Sequence, residues 1–226
     1  MSQNPTCLSY WYPRIRYAGL PVPRTLIIHA PLLLTYEDVP TAGLDDLLWQ
    51  IDAACGRVGY PAFLRTGLTS AKHDWKESCF IAAHSNIASH VNQILEYSEM
   101  VDFLGLDCSV WAVREMLPTK PMFHAFNGMP IVREFRFFVE DGKVTHVQPY
   151  WPADSIQRPD VPDWEARLAH ASEITQEERG VLSDMARTAN AYVPGDWSVD
   201  FLETENGWYL TDMAVAAESF RYGATL

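Results

Sequence analysis

Residues 132–139, Val-Arg-Glu-Phe-Arg-Phe-Phe-Val, make a β-favouring apolar run that carries two arginines and a carboxylate. Unpaired charges in a half-buried strand are expensive, so this segment must meet counter-charges within the chain or bind something that supplies them. Period-two alternation sets Glu134 and Arg136 on one face with Val132 and Phe138, and Arg133 with Phe135 and Phe137 on the other. The two arginines therefore need not share a role. In one reading Arg136 and Glu134 form an ordinary ion pair; in the other Arg136 contacts a phosphoryl group and Glu134 orients it.

Turn chemistry places this run in a larger pattern. Asp141-Gly142 separates it from a second β-like run at 144–150, which reads as a hairpin. Residues 197–203 and 208–213 flank Glu205-Asn206-Gly207 and read as another. With a three-residue loop and Gly207 left-handed, Thr204 faces Trp208 and Asp200 lies directly across from Asp212. Facing carboxylates repel unless a cation joins them. A two-residue turn would instead offset the pair onto opposite faces, leaving separate caps or salt bridges.

Upstream, residues 24–34 read as strand and loop among prolines, and Leu44, Leu47, Leu48, Ile51 and Cys55 as a helical stripe stopped at Gly56. Residues 60–65 read as a strand leading into a polar loop. Ile87, Val91, Ile94, Leu95 and Ser98 fall at helical spacing, and residues 108–116 read as a strand. Pro118 and Pro121 make a hinge, giving three expected regions: 1–59, 60–118 and 119–226. Residues 151–162 read as a loop, followed by one or two helices over 164–192 that bury Leu168, Ala171, Val181, Met185 and Ala189.

With 226 residues and 48% hydrophobic content the chain has enough apolar material for a proper core. A net charge of −12 argues against broad nucleic-acid binding or an anionic-membrane role. Cys7, Cys55, Cys79 and Cys108 are scattered without zinc-site spacing, and reduced thiols are expected. The start lacks a secretory pattern and no stretch approaches the ~18 apolar residues of a membrane span, so a cytoplasmic protein is expected. No histidine spacing or GxSxG setting points to a hydrolase. Lys72 lies in a loop with a glycine and hydroxyls that suits a mobile cover over phosphates, although it is no GxxxxGK[ST] loop; a solvated surface lysine is the plainer reading.

In order, the strand ending in Arg65, the loop with Ser70, Lys72 and Trp75, the segment Val113-Arg114-Glu115-Met116-Leu117-Pro118, the Arg-Glu-Phe-Arg strand and the Asp200/Asp212 hairpin resemble the ATP-grasp superfamily. The chain looks closest to its small phage and bacterial clade with characteristic arginines and a lysine. It is more distantly similar to the ATP-grasp proteins that assist assembly of a eukaryotic translation initiation factor. The resemblance implies an α+β fold of two lobes with mainly antiparallel sheets and a nucleotide cleft between them.

It further implies ATP and Mg²⁺ as cofactors. Arg65 and Lys72 would reach phosphates, the backbone around Glu115, Met116 and Leu117 would meet adenine, and Arg133 and Arg136 would approach phosphate or substrate. Asp200 and Asp212 would hold Mg²⁺. The implied reaction is carboxylate–amine ligation through an acylphosphate, with a peptide or protein among the possible substrates. Ala214 stands where the superfamily often has asparagine. That departure implies a single Mg²⁺, recruitment of Glu218, or a non-catalytic ATP-binding assembly or interaction protein. Variable loops at 148–163 and 2–17 are expected to meet the acceptor.

Overall fold

The structure is a computed structural model that describes residues 4–30, 41–101 and 106–222. The elements run α1 (Leu8–Ile15), β1 (Thr25–His29), α2 (Thr41–Val58), β2 (Ala62–Thr66), β3 (Phe80–Ile81), α3 (Ile87–Val101), β4 (Val110–Glu115), β5 (Phe123–Ala125) and β6 (Met129–Ile131). They continue with β7 (Glu134–Glu140), β8 (Lys143–Pro149), α4 (Trp164–Ala171), α5 (Gln176–Tyr192), β9 (Trp197–Thr204) and β10 (Gly207–Val215). The apolar residues at 31–34 lie outside the described residues. Two compact units result: a first of Met1–Val22, Pro118–Ala125 and Pro130–Leu226, and a second of Pro23–Leu117 and Phe126–Met129.

In the second unit a four-stranded antiparallel sheet of order β1-β4-β2-β3 turns Ile28, Leu64, Trp111 and Val113 into a core shared with α2 and α3. Thr25, Phe63, Arg65, Ala112 and Arg114 occupy the opposite face, because directly paired residues share a side of the sheet. Helix α2 runs past Gly56, where the sequence pattern had ended it. Gly59 closes it instead, with φ +91 and its N–H donating to the Cys55 carbonyl at 2.9 Å, a left-handed ending that suits glycine.

In the first unit the sheet order is β10-β9-β7-β8, again antiparallel throughout. Phe135, Phe137, Val139, Val199 and Phe201 fill one face, where α5 packs on β7, β8 and β9. Phe137 meets Phe201 edge-on at 5.5 Å, and each such buried ring contributes about 2 kcal/mol. Asp141 and Gly142 both have positive φ, the turn in which Asp-Gly matches strand twist. Three expectations need correction. The segment read as a variable loop at 2–17 contains α1, whose Leu8, Trp11 and Ile15 are fully buried at helical spacing, against α5 and β10. In α5 the inward stripe is Leu182, Ala186 and Ala189, whereas Val181 is 51% exposed. The Asp200/Asp212 hairpin turns through two residues, not three.

All four cysteines are free and buried. No helix among the described residues is long and apolar enough to cross a membrane.

Candidate functional site

One row of polar side chains crosses the first unit's sheet from edge to edge. Gln148 on β8 pairs with Arg136 on β7, Arg136 with Asp200 on β9, and Asp200 with Asp212 on β10. All four therefore share the face opposite the aromatic core. The partner of Arg136 is not Glu134: its Nε and Nη2 each donate to one Asp200 oxygen at 2.8 Å, a two-point fork. Its Nη1 has no partner among the described residues. The Arg136 ion lies 4.9 Å from the centre of the Tyr150 ring. Burial works against the Arg136 charge, but Asp200, then Tyr150 and Asp212, outweigh it and hold the guanidinium above its ordinary pKa.

The Asp200–Asp212 pairing survives the two-residue turn by a route the alternation of the strands does not encode. Thr204 pairs with Gly207, Glu203 with Trp208 and Phe201 with Leu210, a register that would set the aspartates on opposite faces. A shift between Leu210 and Asp212 then inserts Thr211 as an extra residue. Such a bulge moves every following side chain to the other face and brings Asp212 opposite Asp200.

Arg133, on the other side, has its own carboxylates. Its Nη1 and Nη2 donate to the two oxygens of Glu178 at 2.7 and 2.9 Å, and Nη1 also reaches Glu203 at 3.1 Å. Glu178 also completes a capping box with Thr175 at the start of α5, so one carboxylate joins helix cap to strand. Arg133 hydrogen bonds, against burial and with help from Thr175, hold the Glu178 carboxyl down at about 2. A depressed carboxyl contributes stability that is present above its unfolded value and is lost as pH falls through the folded one. Glu178→Gln should therefore cost about 2 kcal/mol at neutral pH. In urea melts its deficit relative to the unmodified protein should shrink as pH falls from about 4.5 towards about 2.

In the second unit, Arg65 is buried on the face away from the helices, with Nε donating to the Thr66 carbonyl at 3.0 Å. Arg114, also buried, shares that face and donates from Nε to the Thr25 hydroxyl at 3.1 Å. Lys72 opens a short 3₁₀ turn that follows Ala71 in a left-handed conformation. The buried Ser78 hydroxyl staples that turn by donating to the Ala71 and Asp74 carbonyls, so the segment is a built turn. Burial pushes the Cys79 thiol up to about 12, and the charges of Lys72 and Arg65 both oppose the rise, so both cations lie near that sulfur. After β4, the Glu115 carboxylate accepts the Arg24 N–H at 2.7 Å. The amides of Met116 and Leu117 have no partner among the described residues.

A family model described as an ATP-grasp domain, family 3 of the clade named for its arginines and lysine, matches residues 54–226. The chain belongs to that family. Among solved structures, an ATP-grasp RimK domain protein from Sphaerobacter thermophilus is similar at TM-score 0.52 and 14% identity, over 95% of this chain and 59% of the other. Cdc123 from Schizosaccharomyces pombe is similar at TM-score 0.56 and 13% identity, over 93% and 83%. D-alanine–D-alanine ligase from Bacillus anthracis, complexed with ATP, reaches TM-score 0.50 at 11% identity, over 93% and 54%. At these identities the likeness concerns the ATP-grasp fold. This chain spans 59% of the length of the RimK domain protein. No curated protein matches it.

The donor set of this ATP-grasp chain fits Mg²⁺ in one particular way. Asp200 and Asp212 are directly opposed, and the described residues contain no cluster of three or more metal-ligating side chains. Mg²⁺ is commonly held by one or two carboxylates together with water and phosphate oxygens rather than by an all-protein cage, and this pair suits that mode. Ala214 lies next to Ser198 in the adjoining row and offers no side-chain ligand. Glu218 accepts from the Thr6 hydroxyl at 2.6 Å, so it is engaged away from the aspartates. Gln148 and Arg114 escaped the sequence reading; the signal for Arg114 was an arginine in an otherwise apolar strand, the same signal that exposed Arg136.

Proposed function

We propose that this protein is an ATP- and Mg²⁺-dependent carboxylate–amine ligase. The observation that carries the reading is the Gln148–Arg136–Asp200–Asp212 row, in which a forked arginine keeps Nη1 for an anion beside a carboxylate pair suited to Mg²⁺, in a chain of the ATP-grasp family. In the second unit, Arg65 and Lys72 hold phosphate oxygens, and the free amides at Met116 and Leu117 meet the adenine edge. In the first unit, Arg136 binds the transferring phosphoryl group through Nη1 and Tyr150 supports the guanidinium from its ring face. Asp200 and Asp212 hold Mg²⁺, which when bound screens charge between phosphates. Arg133, already engaged by Glu178 and Glu203, acts at one remove by fixing the start of β7.

In the reaction a substrate carboxylate oxygen attacks the γ-phosphorus and the bond to the bridging oxygen breaks, leaving ADP. An amine then attacks the acylphosphate carbonyl; inorganic phosphate leaves and the amine loses a proton. Positioning and electrostatics supply such catalysis, so the cations named above are its main source. Ala214 favours a second reading, a non-catalytic ATP-binding assembly protein. Phosphate release from ATP, screened against pools of amino acids and peptides, separates the two. A turnover that requires both a carboxylate and an amine supports the ligase. Tight ATP binding with no turnover against any pool supports the second reading. Lys72→Ala should weaken ATP binding about tenfold by calorimetry, the loss of one charge-assisted contact.

A further inference from the structure

The fourth member of the polar row does not face a ligand alone. Gln148 is 3% exposed and spends both amide atoms on the backbone of residues 219–222: Nε2 donates to the Phe220 carbonyl at 3.1 Å and Oε1 accepts the Tyr222 N–H at 2.9 Å. The same short segment is tied down at three more points. Ser219 shares a 2.6 Å hydrogen bond with Ser198 of β9. Arg221 pairs with Glu140 at 2.6 Å, and its guanidinium lies 4.1 Å from the centre of the Phe138 ring. Phe138, Ser198 and Gln148 all belong to the sheet face that carries Arg136 and Asp200, so the segment is a strap laid across one end of the functional face.

The strap ends on Tyr222 beside the row. Its amide bonds to the residue that pairs with Arg136, and its ring packs edge-on against Phe220 at 5.3 Å, which fixes where the phenol points. Burial, then Asp154, push the Tyr222 hydroxyl pKa up while the Arg136 charge pulls it down, so the phenol is neutral at physiological pH and within reach of the Arg136 field. It makes no hydrogen bond among the described residues. A half-buried phenol donor next to an arginine with an unused Nη1 gives two convergent donors for one anion.

We propose that Tyr222, held in place by Gln148 through the strap, is a phosphate-contacting residue of the Arg136 site. The inference rests on the nucleotide-binding reading above and extends it: the strap supplies a donor at the phosphate end of the ligand, and Gln148 is the positioning residue that delivers it. The test is calorimetric titration of ATP and of AMP, each with Mg²⁺, into the unmodified protein, Tyr222→Phe, Gln148→Leu and the double variant. Tyr222→Phe keeps the ring and removes only the hydroxyl. It should weaken ATP about tenfold and leave AMP unchanged. Gln148→Leu should give a similar ATP-selective loss, and the double variant no further loss, because both changes remove one contact. Unchanged ATP affinity in Tyr222→Phe, or equal losses for ATP and AMP, would overturn the assignment while leaving nucleotide binding intact. An unmodified protein that binds neither nucleotide would overturn the assignment and the reading beneath it together.

Discussion

Arg136→Ala is expected to destabilise the protein by about 3 to 5 kcal/mol, measured by urea or thermal unfolding, because it strands a carboxylate that is only 4% exposed. For a chain of this size that is a fall in Tm of about 10 °C or more. Arg136→Lys retains a charge but cannot fork onto both Asp200 oxygens, and should fall between the two. Removing both partners, Arg136→Ala with Asp200→Ala, should recover part of the loss, since no buried charge is then left alone. A loss below about 1 kcal/mol for Arg136→Ala would be the behaviour of a solvated surface pair and would contradict a buried fork.

Asp212→Asn should behave in the opposite way. Asp212 is half-buried, faces another carboxylate, and is not forked by Arg136. Neutralising it relieves repulsion across the strands, so the ligand-free protein should keep or slightly gain stability. Binding should change instead: the strengthening of ATP affinity by Mg²⁺ should vanish, a loss on the order of tenfold or more, while affinity in EDTA stays the same. Titration of ATP with and without Mg²⁺ reads both. Preserved Mg²⁺ enhancement in Asp212→Asn would remove Asp212 from the metal site.

The contrast shows which features of the site are legible in sequence. The arginines of β7 stand out because charges in an apolar strand demand partners, and the two hairpins stand out because Asp-Gly and Asn-Gly have few other uses there. Partner identity is less accessible. Arg136 lies two residues from Glu134 but forks onto Asp200, 64 residues away, because the register of β7 on β9 brings them together. The aspartate pairing was expected from a three-residue loop; it arises from a two-residue turn and a bulge at Thr211, and bulges leave no alternation signature. Gln148 and Tyr222 are joined by a side chain holding a backbone, a contact that hydrophobic pattern does not report. The Thr175–Glu178 capping box was readable as T-x-x-E, and would have marked both the start of α5 and a carboxylate available to Arg133.

The most direct test of the central claim is a thermal-shift titration with ATP, ADP and GTP, each with and without Mg²⁺. A ligand that binds only the folded state stabilises it by about 2.7 kcal/mol at a hundred times its Kd. The site described here predicts a rise in Tm that requires Mg²⁺ for full effect and is larger for the adenine nucleotides than for GTP. No rise with any of the three at millimolar concentration would contradict a nucleotide site built on Arg65, Lys72, Arg136 and the Asp200/Asp212 pair.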